Sequence, residues 1–501
     1  MNILRNPLTK AAALAGVVTV LFCNSHFFSY APYGGYLLIP DCFFSYGIHF
    51  LFYLAIIWLA GLNRFFAWCV LPIILATQMY CYQAEVNLGV DCCELGVATI
   101  NASWTEVGNY ANFQHLSLLF AGIAGIFLIC FLTRHISTQN CRHLRLITAG
   151  ILLACVAACS LAPISRSLRY HTKHKDLWPL FMKAYQPAFH TLHFWSGIWT
   201  FIAPNKLKPS TNYASRDTFS KKPDIVVLYI GEAIRPDHTP LNGYHRNTTP
   251  GIGQCSNIIN LPNVLSAATQ TLPSIFSILT YTANEEKSET HSSFVDILAK
   301  HSYKQYLMAG LNTEGCWYLT PNIAKALNPH VSLHSRPASA QEYAKNISDL
   351  LTQKGAPLFV LIEDGAGHMP YKSEHNIFGQ ASDIDKYDNC ILDADARLTA
   401  IIQTLQSHDA ILLFTSDHGE SFGEEGRFGH AGPMTAMEQR QVFSFIWYSN
   451  SYAEKHPEII QALKDNALRF TSHDYIYHTI ISVAGIQSDI QLPTQDMTRP
   501  Q

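Results

Sequence analysis

"AILLFTSDHGES", residues 410–421, is the stretch on which the fold turns. An uncharged, largely apolar run from Ala410 to Ser416 stops abruptly at Asp417, His418 and Glu420. Such a run suits a strand buried on both faces, and an open α/β sheet gathers its ligands outside the carboxyl ends of its strands. "DIVVLYIGEAIR" (224–235) repeats the pattern and delivers Glu232. "PLFVLIED" (357–364) and "VFSFIWYS" (442–449) are two further runs of the kind. Helical patterns over 274–283, 291–301, 340–353 and 385–407 lie between them, so residues 223–501 read as a mostly parallel sheet covered by helices.

The N-terminal part reads differently. The chain has 501 residues, 48% of them hydrophobic and only 14% charged, and the long uncharged runs are concentrated in its first third. Five of these, near 8–29, 43–62, 65–82, 115–133 and 146–164, approach the roughly 20 residues that a membrane crossing requires. The first would also suit a secretory signal, but no small-residue cleavage site follows it. Arg5 and Lys10 precede the first run, Arg64 separates the second from the third, and Arg134, Arg142 and Arg145 separate the fourth from the fifth. The alternate loops, 30–42 and 83–114, contain no Lys or Arg. Cytoplasmic loops retain basic residues, so the N-terminus is expected inside and everything beyond residue 165 outside. Arg166, Arg169, Lys173 and Lys175 run against that bias, but long domains translocate largely regardless of charge.

Residues 1–165 are therefore expected to form a multi-pass membrane domain. Residues 166–222 read as a bridging segment and linker. Trp178, Phe181, Tyr185, Phe189, Trp195 and Trp199 suit a membrane interface or a packed connector alike. The net charge of −3 gives no reason to expect a nucleic-acid partner. Ten of the thirteen cysteines lie in the first third, which leaves Cys255, Cys316 and Cys390 for the outer domain and at most one bridge within it. The adjacent Cys92 and Cys93 could pair elsewhere.

Glu232, Asp417 and His418 stand at strand ends, and "GAGHMPY" and "GHAGP" add His368 and His430. Carboxylates and imidazoles without cysteine suit a catalytic zinc or manganese ion. In "ATQTLPSIFSILT" (267–279), Pro273 fits the first turn of a helix, which puts Thr271 near the N-cap. Alone, Thr271 reads as a cap. A metal held by Glu232, Asp417 and His418 would instead lower the pKa of its hydroxyl and make it a nucleophile. Glu314, Glu363, Asp364 and Glu420 read more simply as loop or cap contacts, whereas Asp388 and Asn389, on a helical pattern, suit substrate positioning and local contacts equally.

"YIGEAIRPDHTPLNGYHRNTTP" (229–250), "YDNCILDADARL" (387–398), "TSDHGESFGEEGRFGHAGP" (415–433) and "SHDYIYHTIISVAGI" (472–486) together resemble the phosphoethanolamine transferases of Gram-negative inner membranes, within the alkaline phosphatase and sulfatase superfamily. The resemblance implies an inner-membrane protein with a cytoplasmic N-terminus and a periplasmic catalytic domain. It also implies one or two zinc ions, with Glu232, Asp417, His418 and the threonine nucleophile as ligands. His368 and His430 would bind the transferred phosphoryl group, a second metal or the leaving oxygen. Asn242, Tyr244 and Arg246 would position substrate or structure.

The implied reaction moves phosphoethanolamine from phosphatidylethanolamine to an envelope glycan such as lipopolysaccharide, at lipid A or core. It passes through a phosphoethanolamine-threonine intermediate and releases diacylglycerol. Members acting on lipid A flank the nucleophile with disulfide-bonded cysteines, which are absent here. Aligning Pro273 with their later proline would place Ala268 at the nucleophile. "TQTLPS" (269–274) resembles instead the nucleophile segment of related superfamily members, in which a Cys, Ser or Thr stands two residues before proline at a helix start, and this resemblance makes Thr271 the expected nucleophile and Thr269 the second choice. A formylglycine sulfatase would need Cys or Ser at that position. A glycerol-phosphate transferase shares the layout, and a non-catalytic sensor would be expected to lose metal ligands.

Overall fold

The computed structural model describes residues 9–19, 39–60, 65–88, 113–134, 150, 195, 208–209, 213–281, 290–309, 331–335, 337–353, 355–369, 371–430 and 434–500. Half of the first expected crossing, nearly all of the fifth, most of the aromatic segment, Cys92, Cys93, Glu314 and Cys316 lie outside these residues. The chain divides into two compact units, one N-terminal and one that contains residues 204–501.

In the N-terminal unit, α1 (Ile39–Ala60), α2 (Leu71–Leu88) and α3 (Phe113–Arg134) cover parts of three of the apolar runs. Tyr53, Ile57, Leu71, Leu75, Ile126 and Ile129 pack together in its core. Among the described residues no helix is long and apolar enough to cross a membrane. In α1 and α3 the described side chains are those of 49–60 and 123–133.

The second unit is built on a seven-stranded sheet. Its strands are β1 (Ile225–Gly231), β2 (Ile258–Asn260), β3 (Lys304–Ala309), β4 (Ser332–Ser335), β5 (Leu358–Glu363), β6 (Ala410–Ser416) and β7 (Ser444–Tyr448), in spatial order β2-β7-β6-β1-β5-β3-β4. The four apolar runs became the central strands β1, β5, β6 and β7, as expected. The sheet is mixed, however: β7 runs antiparallel to both β6 and β2. A continuous apolar run reports burial on two faces and says nothing of direction, so the sequence could not distinguish this strand from its parallel neighbours.

Side chains alternate across the sheet. Val226, Leu228, Ile230, Phe359, Leu361 and Leu413 pack on one face with α4 (Thr271–Leu279), α5 (Phe294–Lys300), α8 (Pro457–Asp465) and α9 (Asp474–Val483). Val227, Tyr229, Val360, Ile362, Leu412 and Phe414 pack on the other with α6 (Ala340–Leu351) and α7 (Asp383–Leu405). Serines start three of these helices: Ser293, Ser339 and Ser382 each accept a hydrogen bond from a first-turn amide, and Ser382 forms a reciprocal capping box with Asp385. Each such cap contributes about 1 kcal/mol to its helix.

Register makes the site. Gly231 stands opposite Ser416 in the parallel β1–β6 pair, so the next residues, Glu232 and Asp417, leave the sheet side by side.

Candidate metal and nucleophile centre

Four side chains from three segments converge at the carboxyl ends of β1 and β6. Nε2 of His418 lies 3.4 Å from Glu232 Oε1, 3.3 Å from Asp417 Oδ2 and 3.2 Å from the Thr271 hydroxyl. Thr271 Oγ1 is also 3.5 Å from Glu232 Oε2. All four residues are buried. Thr271 is the first residue of α4, not its cap. Gln270 holds the cap position without a side-chain hydrogen bond, and Pro273 lies in the first turn as expected. Ser274, one turn along α4, bonds Ser266, whose hydroxyl donates to the Asp417 carbonyl at 2.5 Å. The nucleophile helix is thereby tied to the end of β6.

Asp417 Oδ1 accepts the amides of Ala233 at 3.0 Å and of His418 at 2.7 Å. Its other oxygen, Oδ2, is buried with no hydrogen-bond partner. His418 Nδ1 faces the Gly419 carbonyl at 2.8 Å, which makes Nδ1 the protonated nitrogen and leaves the Nε2 lone pair turned toward the carboxylates and the threonine. Burial pushes the Asp417 carboxyl up, against the pull of its two amide bonds. Burial, assisted by the charge of His430, pushes His418 well down. Lone pairs of oxygen and nitrogen thus face one another in a dry site. A cation resolves that conflict, and ligand atoms of Glu232, Asp417 and His418 all lie within 4.8 Å of one another. The donor set of two carboxylates, one imidazole and one hydroxyl fits a hard or borderline cation such as zinc.

A second candidate group shares Glu232 and adds His368 and His430. The His430 ring centroid lies 4.3 Å from that of His418 and 5.7 Å from that of His368. His430 Nδ1 is 3.3 Å from Glu420 Oε2, so Glu420, expected to make only a loop contact, faces a site histidine. Gly367 permits this crowding: a Cβ there would stand 2.1 Å from the Glu232 carbonyl oxygen.

Asn242, Tyr244 and Arg246 are placed elsewhere. Tyr244 and Arg246 bond Asp388 at 2.7 and 2.8 Å, Arg246 also meets Asp385 at 2.9 Å, and Asn242 bonds Thr239 and Asn260. Asp364 pairs with Arg397 and Tyr229, the local role expected of it, and Asn389 accepts the amides of Ile377 and Phe378. Thr269 is buried two residues before the convergent hydroxyl of Thr271.

Sequence reasoning missed His473 and Tyr387, though both lie in the quoted motifs. His473 Nε2 is 3.0 Å from the Ser416 carbonyl, directly behind Asp417, and burial lowers its pKa to about 4. Tyr387 contacts the backbone that follows Glu232.

A helix-covered, mostly parallel sheet with a carboxylate–imidazole–threonine centre at its strand ends defines an α/β domain of the alkaline phosphatase type. The sulfatase family model matches residues 224–486, more than half of the chain. The chain belongs to the sulfatase family. It is 27% identical over 313 residues to phosphatidylethanolamine transferase Mcr-1 of Escherichia coli, covering 54% of this chain and 55% of that one. It is 23% identical over 427 residues to phosphoethanolamine transferase EptA of Escherichia coli K12, covering 76% of each. The chain thus spans about half the length of the first relative and about three quarters of the second. The same fold occurs in the integral membrane lipooligosaccharide phosphoethanolamine transferase A of Neisseria meningitidis, with a TM-score of 0.71, 18% identity, and coverage of 98% of this chain and 99% of that one. The resemblance read from the motifs is therefore borne out.

Proposed function

We propose that the chain transfers phosphoethanolamine from phosphatidylethanolamine to a hydroxyl or phosphate of an envelope glycan such as lipopolysaccharide. The carrying observation is the convergence of the Thr271 hydroxyl with Glu232, Asp417 and His418 in a buried site. The names of the relatives support the same chemistry.

Glu232, Thr271, Asp417 and His418 would hold a zinc ion, which when bound supplies positive charge that lowers the pKa of the hydroxyl and stabilises phosphoryl oxygens. The rest is the work of the protein. α4 presents Thr271 Oγ1 from a helix N-terminus, where free amides favour the negative charge of a phosphate. Oγ1, ionised with its proton released to solvent, attacks phosphorus, the P–O bond to diacylglycerol breaks, and protonated His368 or His430 gives a proton to the departing oxygen. An acceptor hydroxyl then loses its proton to the same histidine, attacks the phosphorus and frees Thr271 Oγ1. Asn242, Tyr244 and Arg246, which bond Thr239, Asn260, Asp385 and Asp388, are assigned to structural support or substrate positioning.

Residues 1–165 would form five crossings of the bacterial inner membrane with the N-terminus in the cytoplasm. Residues 166–222 would bridge to a periplasmic catalytic domain, 223–501. The apolar runs, the basic-residue asymmetry and the fold shared with an integral membrane protein support this arrangement.

The test is diacylglycerol release from phosphatidylethanolamine vesicles by the detergent-purified chain with zinc. Release is expected from the native chain and from Thr269→Ala, and none above background from Thr271→Ala. Undiminished release by Thr271→Ala would remove the proposed nucleophile.

A further inference from the structure

We infer that Tyr387 is a positioning residue that sets the turn carrying Glu232 into the metal centre. The inference rests on the metal-dependent reading above.

The turn after β1 is unusual. Ala233 has φ 56°, a left-handed conformation that costs an L-residue free energy through its Cβ. Something must hold it there, because relaxation of Ala233 would swing the side chain of Glu232 away from His418.

The backbone contacts show what does. Tyr387 Oη donates to the Ala233 carbonyl at 2.6 Å and accepts the Arg235 amide at 2.9 Å. Both groups are buried, so neither can turn to water instead. From the other side, the Ala233 amide donates to Asp417 Oδ1 at 3.0 Å and the Ile234 amide to Ser416 Oγ at 2.7 Å. The phenol is itself fixed. Tyr387 lies near the start of α7, behind the Ser382 cap, and is fully buried. Its ring meets Phe422 edge-on at 4.8 Å, His238 at 5.1 Å and Tyr371 at 5.6 Å.

One phenol therefore bridges two backbone groups of a strained turn, and the same turn also donates to Asp417. Loosening it disturbs two proposed ligands together, although Tyr387 touches neither carboxylate in its hydrogen bonds. Partners that orient ligands typically change metal affinity by about 10–100-fold when removed.

The experiment is zinc titration of the detergent-purified full chain against a competing chelator, with calorimetric readout and no substrate present. Tyr387→Phe is expected to weaken zinc binding about ten-fold. Tyr452→Phe is the matched control: a buried phenol donating to the Val483 carbonyl at 2.8 Å, with zinc affinity expected to stay native. Adding Ala233→Gly to Tyr387→Phe is expected to recover part of the loss, because glycine adopts the left-handed turn without a Cβ penalty. If Tyr387→Phe does not fold, Phe422→Leu, which frees the ring without removing the hydroxyl, is expected to weaken zinc binding to a smaller degree.

A native chain that binds zinc beside a Tyr387→Phe or Phe422→Leu chain of equal affinity would overturn the inference and leave the metal reading standing. Equal losses in the Tyr387 and Tyr452 variants would reduce the effect to general destabilisation and also overturn it. A native chain that binds no zinc would remove the metal reading and this inference with it.

Discussion

Asp388, on α7, and Asp417, at the end of β6, are both buried carboxylates, and their surroundings differ in kind. Asp388 Oδ1 lies 2.8 Å from His238 Nδ1, while its Oδ2 accepts from Tyr244 at 2.7 Å and Arg246 at 2.8 Å. Asp417 has two amides on one oxygen, no hydrogen-bond partner on the other, and an imidazole lone pair 3.3 Å away. A buried charge is tolerated when it is paired, and otherwise it shifts its protonation or recruits a cation. The Asp388 cluster is complete with protein groups alone. The Asp417 cluster leaves a buried carboxylate oxygen and an imidazole nitrogen facing each other, the place proposed for the cation.

The largest effect that can test this contrast is loss of the hydroxyl at the incomplete cluster. Thr271→Ala is expected to lower transfer at least about 1,000-fold with an unchanged circular dichroism spectrum. A matching loss of activity in Thr269→Ala would blur the assignment of the nucleophile.

Acid should act on the same side of the contrast. His473 sits behind Asp417 with its folded pKa lowered to about 4 from 6.5, so the unfolded chain takes up the proton first. The stability this neutral histidine contributes is fully present above pH 6.5 and is lost as pH falls toward 4, to a limit of about 3 kcal/mol. Denaturant melts between pH 7 and 4 of the native chain and His473→Gln would show it: the slope should be shallower in the variant, and equal slopes would place the acid sensitivity elsewhere.

Zinc should distinguish the two carboxylates directly. At a hundred-fold excess over its dissociation constant, a ligand that binds only the folded chain stabilises it by about 2.7 kcal/mol. The native chain and Asp388→Asn should both gain such stabilisation on adding zinc, and Asp417→Asn should not. A zinc-induced rise in melting temperature in Asp417→Asn would show that the incomplete cluster is not the binding site.

Removing a partner from the complete cluster should have the smallest effect. Arg246→Ala is expected to cost about 2 kcal/mol of stability, because a charged hydrogen-bond partner of a buried carboxylate is lost. Zinc affinity should stay native. A rise in KM for phosphatidylethanolamine beyond that of the native chain would make Arg246 a substrate-positioning residue as well as a structural one.

The fold was legible where burial alone determines it. The runs 224–231, 357–364, 410–417 and 442–449 all became strands, and the helices α6 and α7 begin within two residues of their expected starts. What stayed hidden depends on pairing between distant segments. The antiparallel direction of β7 is set by its neighbours β6 and β2, and the short outer strands β2 and β4 are too brief to show a pattern.

The site followed the same rule. Glu232, Asp417 and His418 were readable because each ends an apolar strand, and the β1–β6 register then places Glu232 and Asp417 side by side. Tyr387 and His473 were not, because they act on backbone groups of segments far away in sequence. Asn242, Tyr244 and Arg246 stand in one motif with Glu232, yet their hydrogen bonds go to Thr239, Asn260, Asp385 and Asp388. Proximity in sequence is a weak guide to shared work.

The central claim is that Thr271 carries the transferred group. Peptide mass spectrometry after incubating the detergent-purified chain with phosphatidylethanolamine and zinc, without acceptor, tests it most directly. The expected result is a phosphoethanolamine adduct on Thr271, absent from Thr271→Ala and retained in Thr269→Ala. An adduct on Thr269, or diacylglycerol release with no protein adduct, would contradict it.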